Sequence, residues 1–593
     1  MRLLAVGPSY GWTVDTAGFG GLRALESPPF FRFLFTRNPL YQLSIRRRDP
    51  PPGVARCPSR ATFLSLVSRL SAFTLVSLLS FPTLPLIGKG ETLPTLLLSL
   101  GASSSTLLLA LLAVPLLTLV LLRIGRGWGR VVHYQIGLAS TGISLLLALR
   151  LPGAFSPTSA GRVETVRVVL APSRRSPLRL GIDGISLPFI ILTNLTTYLC
   201  ILSLNSTTAR ILEAIFALLA LQVGVLATFL ALDLLAFFIC FERTLIPIFF
   251  LVLLWGSRER RIRASYRIAI YTLLGSIFRF FNLLYLFAKT GTTDYDLLLQ
   301  LSLHEEDQRF LWGTFFIAFA AKIPLVPLHL WLPEAHVEAP TVGSVLLAAL
   351  LLKLGTYGIV RFSLPLFPEG TVYFAPVVST LAVVGIIYTA LTARRQVDLK
   401  KIIAYSSVGH RNVVLLGRRA GTSEGLQGAL FQRISHGIVS GALFFGVGSL
   451  YERYSVRSLH YFGGLAHLYP LLTIVFVTFS LANLGFPPTS SFVGEFLVLL
   501  GVLPHSGWAT LFACTSRVLG AIYTLWTVNR IFFGNLRTLS VAAGQDLTRK
   551  EVHLFALLVI PRVVLGVAPS RLLDTRLIDS RNILEHARRG RTV

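Results

Sequence analysis

From Ser104 to the C-terminal region, apolar stretches of about 20 residues alternate with short polar links rich in arginine. About 20 apolar residues is the length an α-helix needs to cross the hydrocarbon core of a bilayer. Helices also satisfy their own backbone hydrogen bonds in lipid, where open loops and sheet edges cannot. The pattern predicts crossings near 104–122, 130–150, 184–204, 209–229, 230–254, 265–289, 309–335, 338–362, 373–393, 400–418, 424–449, 466–503, 507–532 and 551–568. The expected fold class is therefore all-α: a polytopic transmembrane bundle of about 14 helices. The links 151–180 and 290–308 are polar and read as loops.

Two crossings are too long and carry breakers. Lys322-Ile323-Pro324-Leu325-Val326-Pro327 interrupts the seventh, and Gly485-Phe486-Pro487-Pro488-Thr489 interrupts the twelfth, shortly before Glu495. Proline removes a backbone donor and breaks the helical ladder. Interrupted helices at membrane depth are tolerated where they line a polar cavity, and transporters place them at ion sites in paired repeats. The breaks lie five crossings apart, which predicts two inverted five-helix repeats, each with a broken helix. The expected organisation is a basic extension over 1–103, with three helices over 104–204. One repeat then spans 205–362 and the other 363–535, before a last helix and basic tail over 536–593. Residues 1–60 hold nine arginines and three acids and read equally as a targeting segment or as a disordered extension.

Composition agrees with the pattern. Hydrophobic residues make up 53% of the 593 and charged residues only 14%, against about 25% charged in soluble domains. A net charge of +28 would suggest nucleic acid in a soluble protein. Here the basic residues lie between apolar segments, as in Ser257-Arg258-Glu259-Arg260-Arg261, and at the termini. That distribution suits links facing an anionic leaflet, so membrane lipids rather than nucleic acid are the expected partners. Cys57, Cys200, Cys240 and Cys514 are too scattered for a metal site or disulfide framework, and no metal is expected. Two counts are unusual. Only seven of the 55 basic side chains are lysine, and the single methionine is Met1. A coding bias against both codons would explain this, and would make a lysine kept inside an apolar helix more significant.

Glu242, Lys322 and Lys353 lie deep in otherwise apolar helices, and Glu495 follows the second break. A charge at the centre of a membrane helix costs a few kcal/mol even on lenient scales, so it normally faces the protein interior and serves a purpose. The plain structural alternative is an ion pair that locks two helices together. Proton movement fits the chemistry better. Burial disfavours the charged form, whereas an opposite charge at ~4 Å returns roughly 4 kcal/mol at an effective dielectric of ~20. Opening and closing a Glu–Lys pair would load and unload the lysine, a role closed to arginine, which stays charged. His329, His336, His410 and His436 lie near the same helices and titrate close to neutrality, although a lone histidine is as often a packed core residue.

Several stretches carry a family resemblance: PLVPLHLWLPEAHVEAP from Pro324, LLLKLGTYGIVRF from Leu350, DLKKIIAYSSVGH from Asp398, Ser435-His436-Gly437, and SSFVGEFL from Ser490. Together they resemble chain 4 of mitochondrial-type NADH:ubiquinone oxidoreductase, respiratory complex I, over about residues 104 to 570. The resemblance implies an antiporter-like subunit of the membrane arm, in the mitochondrial inner membrane. By position, Glu242 and Lys322 match its pumping pair and Lys353 its central lysine. His410 and His436 match its axis histidines, His329 a further histidine beside the broken helix, and Glu495 its terminal acid. NADH, FMN, iron–sulfur clusters and ubiquinone are then used by other subunits, with no cofactor bound by this chain, and the partners are the other membrane-arm subunits. Arg279, Arg411, Arg433 and Arg517 depart from the family, which usually has an apolar residue there, often methionine. Adaptation, contact with lipid headgroups and a misread codon all stay open as explanations. Two other functions share these features: a stand-alone cation/proton antiporter, and a scaffold whose buried pairs only hold helices.

Overall fold

The computed structural model describes residues 104–154, 164–168, 178–205, 208–301, 303–536 and 545–589. The expected extension over 1–103 lies outside the described residues. Helices dominate, and they follow the apolar pattern: α1 (Ser104–Ile124), α2 (Arg130–Ala154), α3 (Leu187–Ser203) and α4 (Ile211–Leu230) come first. Next are α5 (Leu234–Trp255), α6 (Arg261–Thr290), α7 (Glu305–Lys322), α8 (Trp331–Glu338) and α9 (Thr341–Leu366). Then come α10 (Ala375–Arg395), α11 (Leu399–Arg419), α12 (Ser423–Tyr454), α13 (Pro470–Leu484), α14 (Ser490–Val502), α15 (Gly507–Phe532), α16 (Arg549–Val567) and α17 (Ser570–Arg589). Each expected interval coincides with one helix or one broken pair. By length and apolarity alone, however, nine of the described helices qualify as crossings, or ten with the bent pair α16–α17. The others are too short, interrupted or too charged: α3 has 17 residues, and α11 carries Lys400, Lys401, Arg411, Arg418 and Arg419.

The polar link 151–180, read as a loop, instead holds part of an antiparallel pair, β1 (Glu164–Val168) with β2 (Leu178–Ile182), in the register Glu164↔Ile182 to Val168↔Leu178. Leu178, Leu180 and Ile182 alternate with polar or small residues at the two-residue period of a strand, and Leu180 and Ile182 are buried. The apolar stripe was too short to register beside helices of 20 residues.

Both proline breaks are real. α7 stops at Lys322 and resumes as α8 at Trp331, while α13 stops at Leu484 and resumes as α14 at Ser490. Gly485 ends α13 in the left-handed region (φ 78°), a conformation open to glycine at little cost. The elements around the two breaks correspond. Asp233 caps α5 by accepting from Ala236 N and bridges to Asp294 beyond α6. Asp398 caps α11 by accepting from Lys400 N and bridges to Ser458 beyond α12. In each set the order is capped helix, long helix, β-bridge, broken helix, intact helix.

α9 and α12 are enclosed along almost their whole length, whereas α1, α6, α10 and α15 bury a single stripe. The outer face of α6 shows Ile270, Leu273, Leu274, Ile277, Phe281 and Leu284 largely exposed. An apolar surface of that extent is unsuited to water and matches hydrocarbon. The bundle centre is thus α9 and α12, and the ionisable side chains gather there.

Candidate functional site: a line of buried ionisable residues

The first group forms where α5, α6 and the end of α7 meet. Lys322 Nζ lies 3.8 Å from Glu242 Oε1, over the face of Phe241 (3.4 Å to the ring centroid), and donates to Phe241 O at 3.2 Å. Two features supply these positions. Lys322 is the last residue of α7, placed there by the proline break, and α5 is interrupted at Thr244 just after Glu242. Pro247, one turn on, lacks the N–H that would bond Arg243. Lys322 is buried, while Glu242 keeps about a fifth of its side-chain surface open. The carboxylate is shared: Arg279 from α6 is in direct contact with Glu242 Oε1 and stacks on Phe241 at 3.8 Å.

The second group forms a continuous line through α9, α12, α11 and α14. Lys353 donates to the carbonyl of Ala348 and lies 3.2 Å from His436 Nδ1. The rings of His436 and His410 meet edge-on with centroids 5.6 Å apart. His410 Nδ1 lies 2.7 Å from Glu495 Oε1, and its Nε2 lies 3.1 Å from Asn483 Oδ1. Glu495 also accepts from Gln432 Nε2 at 2.5 Å and contacts Arg517. An oxygen at each ring nitrogen suits the doubly protonated imidazole of His410. Turning the Asn483 amide presents its NH₂ to Nε2 and suits the neutral ring. The site can therefore hold His410 with or without its proton.

Local structure explains the placements. α9 is wound more loosely than an α-helix at Leu347–Leu351 and again at Ile359–Ser363, with Lys353 just beyond the first wide turn. Such single wide turns recur at functional positions. α12 brings Gln432, Ser435 and His436 to one face, and Ser435 Oγ bonds Ser490 and Ser491 at the start of α14 (2.7 and 2.9 Å). α12 and α14 approach closely through glycines. A Cβ at Gly428 would lie 2.7 Å from Val498 N, and one at Gly494 would lie 2.8 Å from Gln432 Cα. Gly494→Val should therefore force the helices apart beside Glu495, at about 1–3 kcal/mol for overpacking. The expected result is a protein that still folds but unfolds at a lower temperature, read by thermal unfolding in detergent beside the unsubstituted chain.

Of the seven sequence-predicted residues, the structure brings together Glu242 with Lys322, and Lys353 with His436, His410 and Glu495. The two groups adjoin through apolar packing. A Cβ on Gly355 in α9 would meet Ile323 Cγ1, next to Lys322, at 2.9 Å. Among the described residues no direct hydrogen bond joins the two lysines. His329 joins neither group; its ring packs edge-on to Tyr388 and Tyr405 (5.5 and 6.2 Å). His336 is a packed core ring, stacked on Phe444 at 4.6 Å. Sequence reasoning missed Gln432 and Asn483, although one lies a helical turn before His436 and the other two residues before the Gly485 break. It also passed over Lys400, buried with Nζ donating to Ala339 O at 2.8 Å. Beside it Arg457 bonds Asp398 (2.8 Å) and Glu338 (3.4 Å), a cluster at the ends of α8, α11 and α12.

Residues 231–520 match the family "NADH:quinone oxidoreductase/Mrp antiporter, TM", and all seven candidate residues lie within that span. The chain is 45% identical to NADH-ubiquinone oxidoreductase chain 4 of Marchantia polymorpha over 427 residues, 72% of this chain and 86% of the relative. It is 44% identical to the chain 4 of Arabidopsis thaliana over 456 residues, 76% and 92% of the two chains. The chain belongs to the NADH-ubiquinone oxidoreductase chain 4 family. A solved chain of respiratory complex I from Thermus thermophilus with bound NADH superposes on this chain 4 relative with a TM-score of 0.72 at 31% identity, covering 81% of this chain and 99% of that one. A chain of the Mrp complex from Dietzia shares the fold at 22% identity, with a TM-score of 0.72 over 82% of this chain and 98% of that one.

Proposed function

We propose that this chain is a proton-translocating membrane-arm subunit of mitochondrial NADH:ubiquinone oxidoreductase, multi-pass in the inner membrane. The observation that carries the reading is the contact line Lys353–His436–His410–Glu495 along the enclosed centre of the bundle, with the Glu242–Lys322 pair one helix packing away. Proton loading on Lys322 is favoured while Glu242 stands beside it. Separation of the pair leaves a buried, uncompensated ammonium, which releases its proton toward Lys353. Transfer then runs by the two imidazoles to Glu495. The apolar contact of Ile323 with α9 separates the two lysines, so a water chain must open there for the step to occur. The energy comes from NADH oxidation and quinone reduction in other subunits, which hold the FMN, iron–sulfur clusters and ubiquinone site. The partners are the neighbouring membrane-arm subunits, and His329 has a supporting place beside the broken helix.

The corresponding order of elements around the two breaks supports two five-helix repeats spanning 205–362 and 363–535. A stand-alone cation/proton antiporter is the second reading, since the Mrp chain has the same fold. Purification decides between them. Recovery of the chain in a large NADH-oxidising assembly supports the first. Sodium/proton exchange by the isolated chain in liposomes, without such an assembly, would replace it with the second.

A further inference from the structure

The buried arginines fall into two groups. Arg279, Arg361 and Arg457 each face a carboxylate: Glu242 for the first, Asp183 for the second, and Asp398 with Glu338 for the third; the half-buried Arg453 likewise faces Glu551 at 2.8 Å. Arg411, Arg418, Arg433 and Arg576 are at most 5% exposed and, among the described residues, pair with no carboxylate. Arg411 and Arg418 reach only backbone carbonyls, those of Ser407 and Leu352 for the first and Thr356 for the second. For Arg433 and Arg576 no guanidinium nitrogen has a hydrogen-bond partner. Arg433 has one aromatic face nearby, Phe189 at 5.8 Å. Guanidinium cannot shed its proton in a protein, and an unpaired charge inside a membrane bundle is among the costliest arrangements known. Because the four are enclosed by this chain's own helices, a neighbouring subunit cannot bring them an acid.

The sequence has a matching gap. A chain that is 53% hydrophobic has no methionine after Met1, although methionine is the flexible, unbranched filler of irregular core sites. Its side chain is also long and unbranched enough to occupy the slots that these arginines fill. We infer that positions 411, 418, 433 and 576 carry methionine in the mature protein, the gene specifying it there by a triplet that ordinarily means arginine. Two consequences follow. The bundle centre loses four uncompensated cations, and His410 and His436 lose the fixed charges at 411 and 433 that flank the contact line. The inference is independent of the proton path, because it rests on burial and pairing alone.

Mass spectrometry of the assembled complex, digested with chymotrypsin so that cleavage does not depend on arginine, tests it over 275–285, 355–365, 405–460 and 570–580. The expected result is methionine at 411, 418, 433 and 576, with arginine at 279, 361, 453 and 457. Arginine at any of the first four overturns the inference for that position, and arginine at 433 and 576 overturns it altogether. Methionine at 279, 361, 453 or 457 would also sink it, since carboxylate pairing would then not mark the true arginines. Sequencing the transcript separates the two sources. An arginine triplet kept in the RNA places the change at decoding, and a methionine triplet places it at editing.

Discussion

Lys322→Ala is expected to abolish the proton translocation that depends on this subunit while leaving the complex assembled and able to oxidise NADH. The alanine removes the ammonium beside Glu242 and puts in its place nothing that titrates. Lys322→Arg is the more informative companion. It keeps a cation over Phe241 and within reach of Glu242, so a purely structural pair would survive it. Arginine does not release its proton at any accessible pH, so translocation should be lost as fully as with alanine. The measurement is proton uptake per NADH oxidised in sealed vesicles, beside native-gel abundance of the complex. If both variants pump at the normal ratio, the proposed path is wrong. If alanine pumps normally but abundance falls, the pair is a helix lock.

The second large effect concerns a pair that should behave in the opposite way. Asp183 and Arg361 are in direct contact with side chains 5% and 6% exposed, joining the start of α3 to the end of α9. Asp183 Oδ1 also accepts from Ser186 N at 2.7 Å, and Arg361 lies over Tyr295 at 4.7 Å. Asp579 adds a contact from α17 by accepting from Gly184 N at 2.6 Å. Nothing in the proton line touches this cluster. Removing one partner of a buried pair costs about 3–5 kcal/mol, because the other charge is left uncompensated. Asp183→Ala should therefore reduce the amount of assembled complex severalfold, while what assembles pumps at the normal ratio. Pulse-labelled assembly and vesicle pumping read the two outcomes separately. A normal yield with a lowered pumping ratio would place Asp183 in the path instead.

These contrasting pairs show how far a buried charge can be interpreted from sequence. Asp183 and Arg361 lie beside turns or near a helix end and gave no signal, whereas Lys322 next to Pro324 and Glu242 in an apolar run did. Membrane-spanning length, the two proline breaks and isolated charges in apolar helices are local properties, because each is imposed on a segment by hydrocarbon alone. Hence the positions of the helices, both interruptions and six residues of the contact groups were readable from the chain. The number of true crossings was less so, since α3, α11 and the broken pairs depend on neighbours to cover what their own composition leaves polar or short.

Which charges meet was decided by packing. His410 and Glu495 are far apart in the chain and touch where α11 packs on α14, a close approach at Gly417 against Val498, with α14 redirected by the Gly485 turn and held on α12 at Gly428 and Gly494. Lys353 reaches His436 from beside the wide turn at Leu347–Leu351, a winding that an apolar run of leucine and alanine does not announce. Gln432 and Asn483 became site residues through the same convergence, and His329 left the line because its ring turned to Tyr388 and Tyr405. The sequence by itself determined where the chain enters hydrocarbon and where its helices break, because those depend on transfer energies of consecutive residues. Only the tertiary structure decided which ionisable groups share a site, because that depends on distances between helices distant in sequence.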